Sequence, residues 1–477
     1  MTSATKASKP DVLVIGAGPG GYTAAIRAAQ LGAHVALVER EEVGGVCVNR
    51  GCIPTKTLLH TASVLSLLQR ESALTQPMKG LSVNYPEAMA RKKRIVDRLV
   101  SGIRALLNTN GIELLEGTAL FRNARTVEVS ARDGGKGTVE TERVILATGS
   151  RPSVPPIPGL GALGVYTSDN ILKLSEVPPS LLVIGGGAVG LEFAEIYRSL
   201  GSQVTVVEMM PHILPQEDHE IAEQLTRLMS GQGISILANT RAQGIQGARE
   251  GEKTVTVNTP KGARKLEAAY VLMAVGRAPN TEALGLEGLG VAMMKGRIQV
   301  DDGCRTNIPG LFAVGDVTGG AFAHAAAAQG VVAAENATGG NSRFKARTTP
   351  RCIFTIPQVA SVGLTEEEAA TGGYKVQVGR FPFSASGAAQ AAGEPEGFVK
   401  VIADSETGEI LGVHILGAAA TELISTAALA MRLEATVEDL GNLTCPHPTF
   451  AEALKEAALD ARGQAIHVAR RRAQVRT

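Results

Sequence analysis

Cys47 and Cys52 stand with four residues between them in the stretch GGVCVNRGCIPTK. Flanking glycines, Pro54 and the apolar run that follows predict that both lie near a helix start, where a thiolate is stabilised. The spacing is not that of a zinc site, and no second Cys or His pair lies nearby, so no metal is expected. The pair is therefore read as a redox-active dithiol rather than as two ordinary thiols of a reduced compartment. Lys56 follows Cys52 by one helical turn, a position from which a cation can act on a redox centre. Near the other end, His447 sits between two prolines and five residues before Glu452. An imidazole suits the deprotonation of a thiol near neutral pH, and a carboxylate can fix its tautomer. Taken alone, a lone His is more often structural.

Around these residues the chain carries a repeated frame. The apolar run DVLVI (11–15) leads into GAGPGG, then a small-residue helical stretch, then HVALVE ending in Glu39. LLVI (181–184) leads in the same way into GGGAVG, then LEFAEIYRSLG, then QVTVVE ending in Glu208. Each copy predicts strand, glycine turn, helix and strand. In such a turn the first Gly (Gly16, Gly185) permits the bend. The second (Gly18, Gly187) lets backbone approach a pyrophosphate, and the third (Gly21, Gly190) lets helix and strand pack. The phosphates then meet the helix N-terminus. Glu39 and Glu208 stand where an acid accepts hydrogen bonds from a ribose. An acid at 208, with no Arg shortly after it, favours NAD over NADP. Two dinucleotide sites in one chain imply electron transfer between two cofactors, one of them a fixed flavin.

Composition limits the alternatives. The 477 residues include 47 basic and 46 acidic side chains, for a net charge of +1, which does not suggest a nucleic-acid or membrane-surface binder. No apolar stretch approaches the ~18 residues of a membrane span, and the N-terminal residues lack the apolar segment of a signal peptide. Five cysteines do not make a disulfide scaffold. A cytoplasmic protein with reduced thiols is expected. Glycine is in excess, 55 residues where an average composition gives roughly 33, which predicts tight turns and close backbone approaches.

The predicted fold class is α/β: two tandem Rossmann-like dinucleotide-binding domains plus a C-terminal α+β dimerisation domain. The expected division is 1–151 for the first part of the flavin domain and 152–281 for the NAD domain. A central segment, 282–347, then returns to complete the flavin site, signalled by GLFAVGD ending in Asp316. Residues 348–477 form the C-terminal unit, with strand-like FVKVIAD and ILGVHILG, helices at 421–433 and 449–461, and an Arg-rich tail expected to fray.

Taken together, GAGPGG, GGVCVNRGCIPTK, GGGAVGLEFAE, GLFAVGD and CPHPTFAEALKEA resemble the pyridine nucleotide-disulfide oxidoreductases over nearly the whole chain. The stretches 357–369, 378–404 and 410–417 are similar to the branch that oxidises dihydrolipoamide with NAD rather than to the glutathione-reducing branch. This resemblance implies FAD and NAD as cofactors. It makes Cys47 the interchange thiol and Cys52 the thiol against the flavin, with Lys56 near the flavin and paired with Glu192. It places Glu39, Gly117, Gly149, Asp316 and Ala323 around FAD. Gly185, Gly187, Gly190, Glu208 and Gly276 would bind NAD. His447 becomes the base and Glu452 its orienting acid, delivered by a partner subunit, so a homodimer is implied. The lipoyl group would arrive on another protein, from a 2-oxo-acid dehydrogenase complex or a glycine cleavage system.

Val46 and Arg50 depart from the Thr and apolar residue often found in this motif. Arg50 could lower a thiolate pKa, alter substrate choice or simply face outward. Cys304, Cys352 and Cys445 are taken as ordinary small residues. The rival readings are another NAD(P)H-dependent disulfide reductase and a non-catalytic NAD-binding subunit. The first would want basic residues by the second ribose; the second would not need Cys47, Cys52, Lys56, His447 and Glu452 together.

Overall fold

The computed structural model describes residues 9–70, 82–247, 249, 251–320 and 322–469. The Arg-rich end of the tail, 470–477, lies outside them. The first apolar runs become buried parallel strands, Val12–Ile15 beside Val35–Glu39, because every side chain in them is apolar except the terminal acid. They belong to a seven-stranded sheet that continues through Glu113–Asn123 into two antiparallel strands, Thr126–Ala131 and Lys136–Glu140. On the other side lie Val144–Leu146 and then Leu311–Ala313, both parallel. The strand just before Asp316 thus pairs, parallel, with a strand 167 residues earlier in the chain, Leu311 opposite Val144.

Small residues decide how the helices lie on this sheet. Helix Pro19–Gln30 packs against helix Ala323–Ala337 in near backbone contact. A Cβ on Gly330 would stand 2.3 Å from the carbonyl oxygen of Gly20. The alanines and glycines of GGYTAA and AHAAAAQG give that approach, which larger side chains would forbid.

The second unit repeats the plan. Ser180–Ile184 is flanked by Gln203–Val207 and Tyr270–Met273 in a five-stranded parallel sheet, with a three-stranded antiparallel sheet beside it. The C-terminal unit is a five-stranded antiparallel sheet, 351–417, covered by helices Ala420–Arg432 and Ala451–Ala461. One apolar cluster joins all three, from Leu58 and Leu59 through Leu191 and Phe193 to Phe398 and Leu416.

The strands Phe398–Asp404 and Ile410–Gly417 form as their sequence predicts, but their polar positions do not face water. Both strands are buried along their whole length, and Lys400 and His414 are buried with them. The cause is an ion cluster with the second unit. Lys400 Nζ lies 2.8 Å from Asp218 Oδ1 and 2.8 Å from Glu366 Oε2, while Arg351 pairs with Glu217 at 2.9 Å. Asp218 also caps helix His219–Gly231, accepting from the Glu220 amide at 3.1 Å. Removing one partner of a buried pair costs more than the pair contributes, because the other charge is left unpaired. Lys400→Met is therefore expected to lower the unfolding free energy by about 3–5 kcal/mol in urea denaturation. A loss below about 0.5 kcal/mol, as at an ordinary surface position, would contradict this role for the cluster.

Candidate active site

The two glycine turns have nearly the same geometry. Gly16 (φ +98°) and Gly185 (φ +111°) both take a left-handed conformation. A Cβ on either would stand 2.4 Å from the carbonyl oxygen of the next strand's end, Ala147 or Ala274. Only glycine fits there. A Cβ on Gly21 or Gly190 would lie 1.7 or 2.0 Å from the oxygen of the first glycine, so the third glycine serves packing within the turn. No side chain caps either following helix, which leaves first-turn N–H groups free for an anion.

The acids do something the sequence did not announce. Glu39 Oε2 accepts from the Ala17 amide at 2.7 Å and Oε1 from the Glu41 amide at 2.7 Å. Glu208 accepts in the same manner from Gly186 and Met210, both at 2.7 Å. Each carboxylate braces its own glycine turn. Each oxygen keeps a further lone pair for a ribose hydroxyl.

A cavity of about 680 Å³ opens in front of the first turn. Gly16, Gly18, Glu39, Gly117, Gly149, Asp316 and Ala323 line it, and so do Cys47, Cys52, Lys56 and Glu192. The structure thus brings the thiol pair and the first dinucleotide set onto one wall. Gly185, Gly187, Gly190, Glu208 and Gly276 lie off this wall, although Ala188 and Val189 of the same turn reach it. Exposed Val189, Met209, Met210 and Val275 flank the second turn, an apolar rim suited to flat aromatic rings.

Cys47 lies in the short helix Gly45–Arg50, and Cys52 opens helix Cys52–Arg70. Both are free thiols here. The hydrogen bond between them divides their acidities. Donation from Cys47, aided by the Lys56 charge, draws Cys52 down to about 7. The same bond, together with burial, pushes Cys47 well above the usual thiol range. Lys56 Nζ lies 2.8 and 2.7 Å from the two oxygens of Glu192 and 4.5 Å from the Phe354 ring centre.

His447 Nδ1 lies 2.9 Å from Glu452 Oε1, and the Thr449 amide donates to Oε2 at 3.0 Å. That amide and the imidazole hold Glu452 below the usual carboxylate range. The pair is not brought to the cysteines within one chain. His447 is 76% exposed and does not line the cavity.

Several lining residues escaped the sequence reading. Arg277 stands beside Gly276 in VLMAVGRAPN, and its guanidinium donates to Ser150 Oγ at 2.7 Å. Cys352 and Phe354 reach the cavity from the C-terminal sheet, and no local pattern marks them. Cys352, expected to be an ordinary small residue, shares a wall with Cys47 and Cys52. Burial pushes Asp316 up from the usual carboxylate range, against the hydrogen bond from Ser150 and the Arg277 charge. Among the described residues, no cluster of potential metal ligands is present and no helix is long and apolar enough to cross a membrane.

In the reduced protein, ultraviolet thiolate absorbance is expected to grow in around pH 7 from one sulfur, Cys52. Lys56→Met removes a cation that favours the charged form and leaves Glu192 to oppose it, so the midpoint should rise. An unchanged midpoint, or two thiols titrating together, would contradict this distribution of charge.

Comparison with known proteins adds independent support. Residues 10–330 match the family model described as pyridine nucleotide-disulphide oxidoreductase, and 349–458 match its dimerisation domain. The dihydrolipoyl dehydrogenase of Thermus scotoductus is 44% identical over 466 residues, covering 97% of this chain and 99% of that protein. The Bacillus subtilis protein of the same name is 39% identical, covering 97% and 100%. Among solved structures, LpdA from Mycobacterium tuberculosis superposes with a TM-score of 0.86 at 30% identity, covering 94% of this chain and 99% of that one. The flavoprotein disulfide reductase RclA from Escherichia coli, as its Cu(II) complex, gives 0.84 at 31% identity, with coverage of 94% and 99%. By sequence and by structure, the chain belongs to the pyridine nucleotide-disulphide oxidoreductase family.

Proposed function

We propose that this protein oxidises protein-bound dihydrolipoamide to lipoamide and reduces NAD+ to NADH, through Cys47, Cys52 and FAD. The observation that carries this reading is the meeting of the thiol pair, the Lys56–Glu192 couple and the first glycine turn on one cavity. The relatives named dihydrolipoyl dehydrogenase, matched over nearly the whole chain, support the choice of substrate. The lipoyl group would be carried by a 2-oxo-acid dehydrogenase complex or a glycine cleavage system. A cytoplasmic location fits the free thiols.

Gly16, Gly18, Glu39, Gly117, Gly149, Asp316 and Ala323 would hold FAD, with Gly21 packing the turn. The uncapped helix and the close-walled glycine turn fit a pyrophosphate. Gly185, Gly187, Gly190, Glu208 and Gly276 would hold NAD. Bound there, the flavin supplies two-electron exchange between a dithiol and a nicotinamide.

The protein's own residues handle the sulfur and proton chemistry. With Nδ1–H donated to Glu452, His447 keeps Nε2 as the base and takes a proton from the first substrate thiol. The resulting thiolate attacks Cys47 of the oxidised pair. The Cys47–Cys52 bond breaks and Cys52 leaves as thiolate, which its lowered pKa favours. The second substrate thiol then attacks the substrate sulfur held on Cys47, closes the lipoamide disulfide and releases Cys47. Of the two substrate protons, one ends on Cys47 and one leaves through His447. The reduced pair is then a thiol donating to a thiolate, the arrangement described above.

His447 and Glu452 fall within the matched dimerisation domain, and His447 is exposed away from its own cavity. A homodimer in which each protomer supplies this pair to its partner accounts for both facts. Cys47→Ser, Cys52→Ser and His447→Gln should each abolish dihydrolipoamide–NAD+ turnover while FAD stays bound. A mixed dimer of Cys47→Ser with His447→Gln should regain one working site of two. Turnover retained in a cysteine variant would refute the sulfur assignment, and an inactive mixed dimer would refute the shared site.

Glu208 turns its carboxylate to the turn that would receive the second ribose, where it repels a 2′-phosphate. Measured kcat/KM is expected to favour NAD+ over NADP+ by at least about tenfold, a difference of roughly 1.4 kcal/mol. Equal values would contradict this use of Glu208.

A further inference from the structure

We propose that Arg50 is the clasp of an ionic belt that retains FAD in this protein, an inference that rests on the assignment of the large cavity to FAD. Arg50 ends the short helix that carries Cys47, two residues before Cys52. Its Nη1 lies 2.5 Å from Glu41 Oε2, and its Nε donates to Asp169 Oδ2 at 3.0 Å. The other Asp169 oxygen is 3.8 Å from Arg277 Nη1, and Arg277 Nε is 3.7 Å from Asp316 Oδ2. Arg277 also donates to the Ser150 hydroxyl and carbonyl, at 2.7 and 2.8 Å, and the Ser150 hydroxyl donates to Asp316. Charges therefore alternate without a break from Glu41, two residues past Glu39, to Asp316.

Position and exposure tell what the belt can do. Glu41, Arg50, Arg277 and Asp316 line the cavity, as does Ser168, the neighbour of Asp169. Glu41 and Arg50 belong to the first dinucleotide unit, Asp169 and Arg277 to the second, and Asp316 to the returning segment. The belt joins three separate stretches of chain along one rim. The Arg50, Asp169 and Arg277 side chains are 23–30% exposed, so the belt is neither in the core nor free in water. Parting the units to open the cavity would break the Arg50–Asp169 pair.

The alternative uses of Arg50 find less support. The cation that acts on both thiols is Lys56, and the groups that shift Cys47 and Cys52 do not include Arg50. Nor does its guanidinium face free solvent, because two carboxylates hold it. Its charge is committed to the rim.

Partly exposed ion pairs weaken as salt rises. Holoenzyme should therefore release FAD faster in high salt, read as recovery of free-flavin fluorescence after dilution. At low salt Arg50→Val should release FAD on the order of tenfold faster than the parent, the loss of about two such pairs, and should lose most of the salt dependence. Arg50→Lys should fall between, since a point charge cannot hold two carboxylates in a planar fork. Asp169→Asn, which removes one partner instead, should shift release in the same direction. Arg50→Val should lower the melting temperature of the apo form less than that of the holoenzyme. Release from Arg50→Val at the parental rate and salt dependence would overturn the inference, as would an equal loss of stability in the apo form. Purification of the parent without flavin would instead refute the FAD assignment itself, a separate result.

Discussion

The ion pair between Lys56 and Glu192 is the contact on which the rest of the site depends. Lys56 belongs to the helix that opens with Cys52, and Glu192 to the helix that follows the second glycine turn. Glu192 is buried, and its Oε1 also accepts from the Phe354 amide of the C-terminal unit at 3.1 Å. A carboxylate in that position is tolerable only with both a cation and an amide to compensate it. Meeting that requirement fixes all three units against one another. It also leaves the lysine charge where it acts on Cys52, so one pair sets both the assembly of the units and the acidity of the thiol.

A second constraint is steric. The glycine turns pass so close to the next strand's end that a single added carbon would collide. The helix of the first turn lies so close to helix Ala323–Ala337 that only small residues fit between. The glycine and alanine content of the sequence is thus the means by which backbone replaces side chain at the cavity wall. Backbone amides offer fixed dipoles without loss of side-chain entropy. Bracing each turn by its own acid, Glu39 or Glu208, extends the same logic, since the acid is both part of the wall and the rigid support of the turn.

What could be seen in the sequence was local. Both glycine turns, their terminal acids, the cysteine pair and the later return strand all announce themselves within a few residues, because turn, strand and spacing are short-range signals. Contacts made across the fold had no such mark. Arg277, Cys352 and Phe354 reach the cavity through topology alone. Lys400 and His414 alternate with apolar neighbours as solvent-facing residues do, yet a second unit covers them and supplies the counter-charges. The separation of His447 from the cysteines is likewise a property of the folded chain, invisible to spacing along it.

The third thiol on the cavity wall sharpens the account of the first two. Three sulfurs, Cys47, Cys52 and Cys352, face the same space, and an unguarded third thiolate would compete in disulfide exchange. Burial, aided by the charges of Glu217 and Glu422, pushes Cys352 up to about 11 despite the opposing charge of Lys56. Cys47 is held protonated by its bond to Cys52. Only Cys52, with a hydrogen bond from its neighbour and a cation one turn away, reaches the thiolate range near neutral pH. Since the thiolate is the reactive form, the wall keeps Cys352 out of exchange by holding it protonated rather than by excluding it from the cavity. The same buried acid cluster that locks the C-terminal unit to the second one supplies Glu217, the charge that helps keep Cys352 a thiol. Structural closure and chemical selectivity therefore draw on a common set of charges.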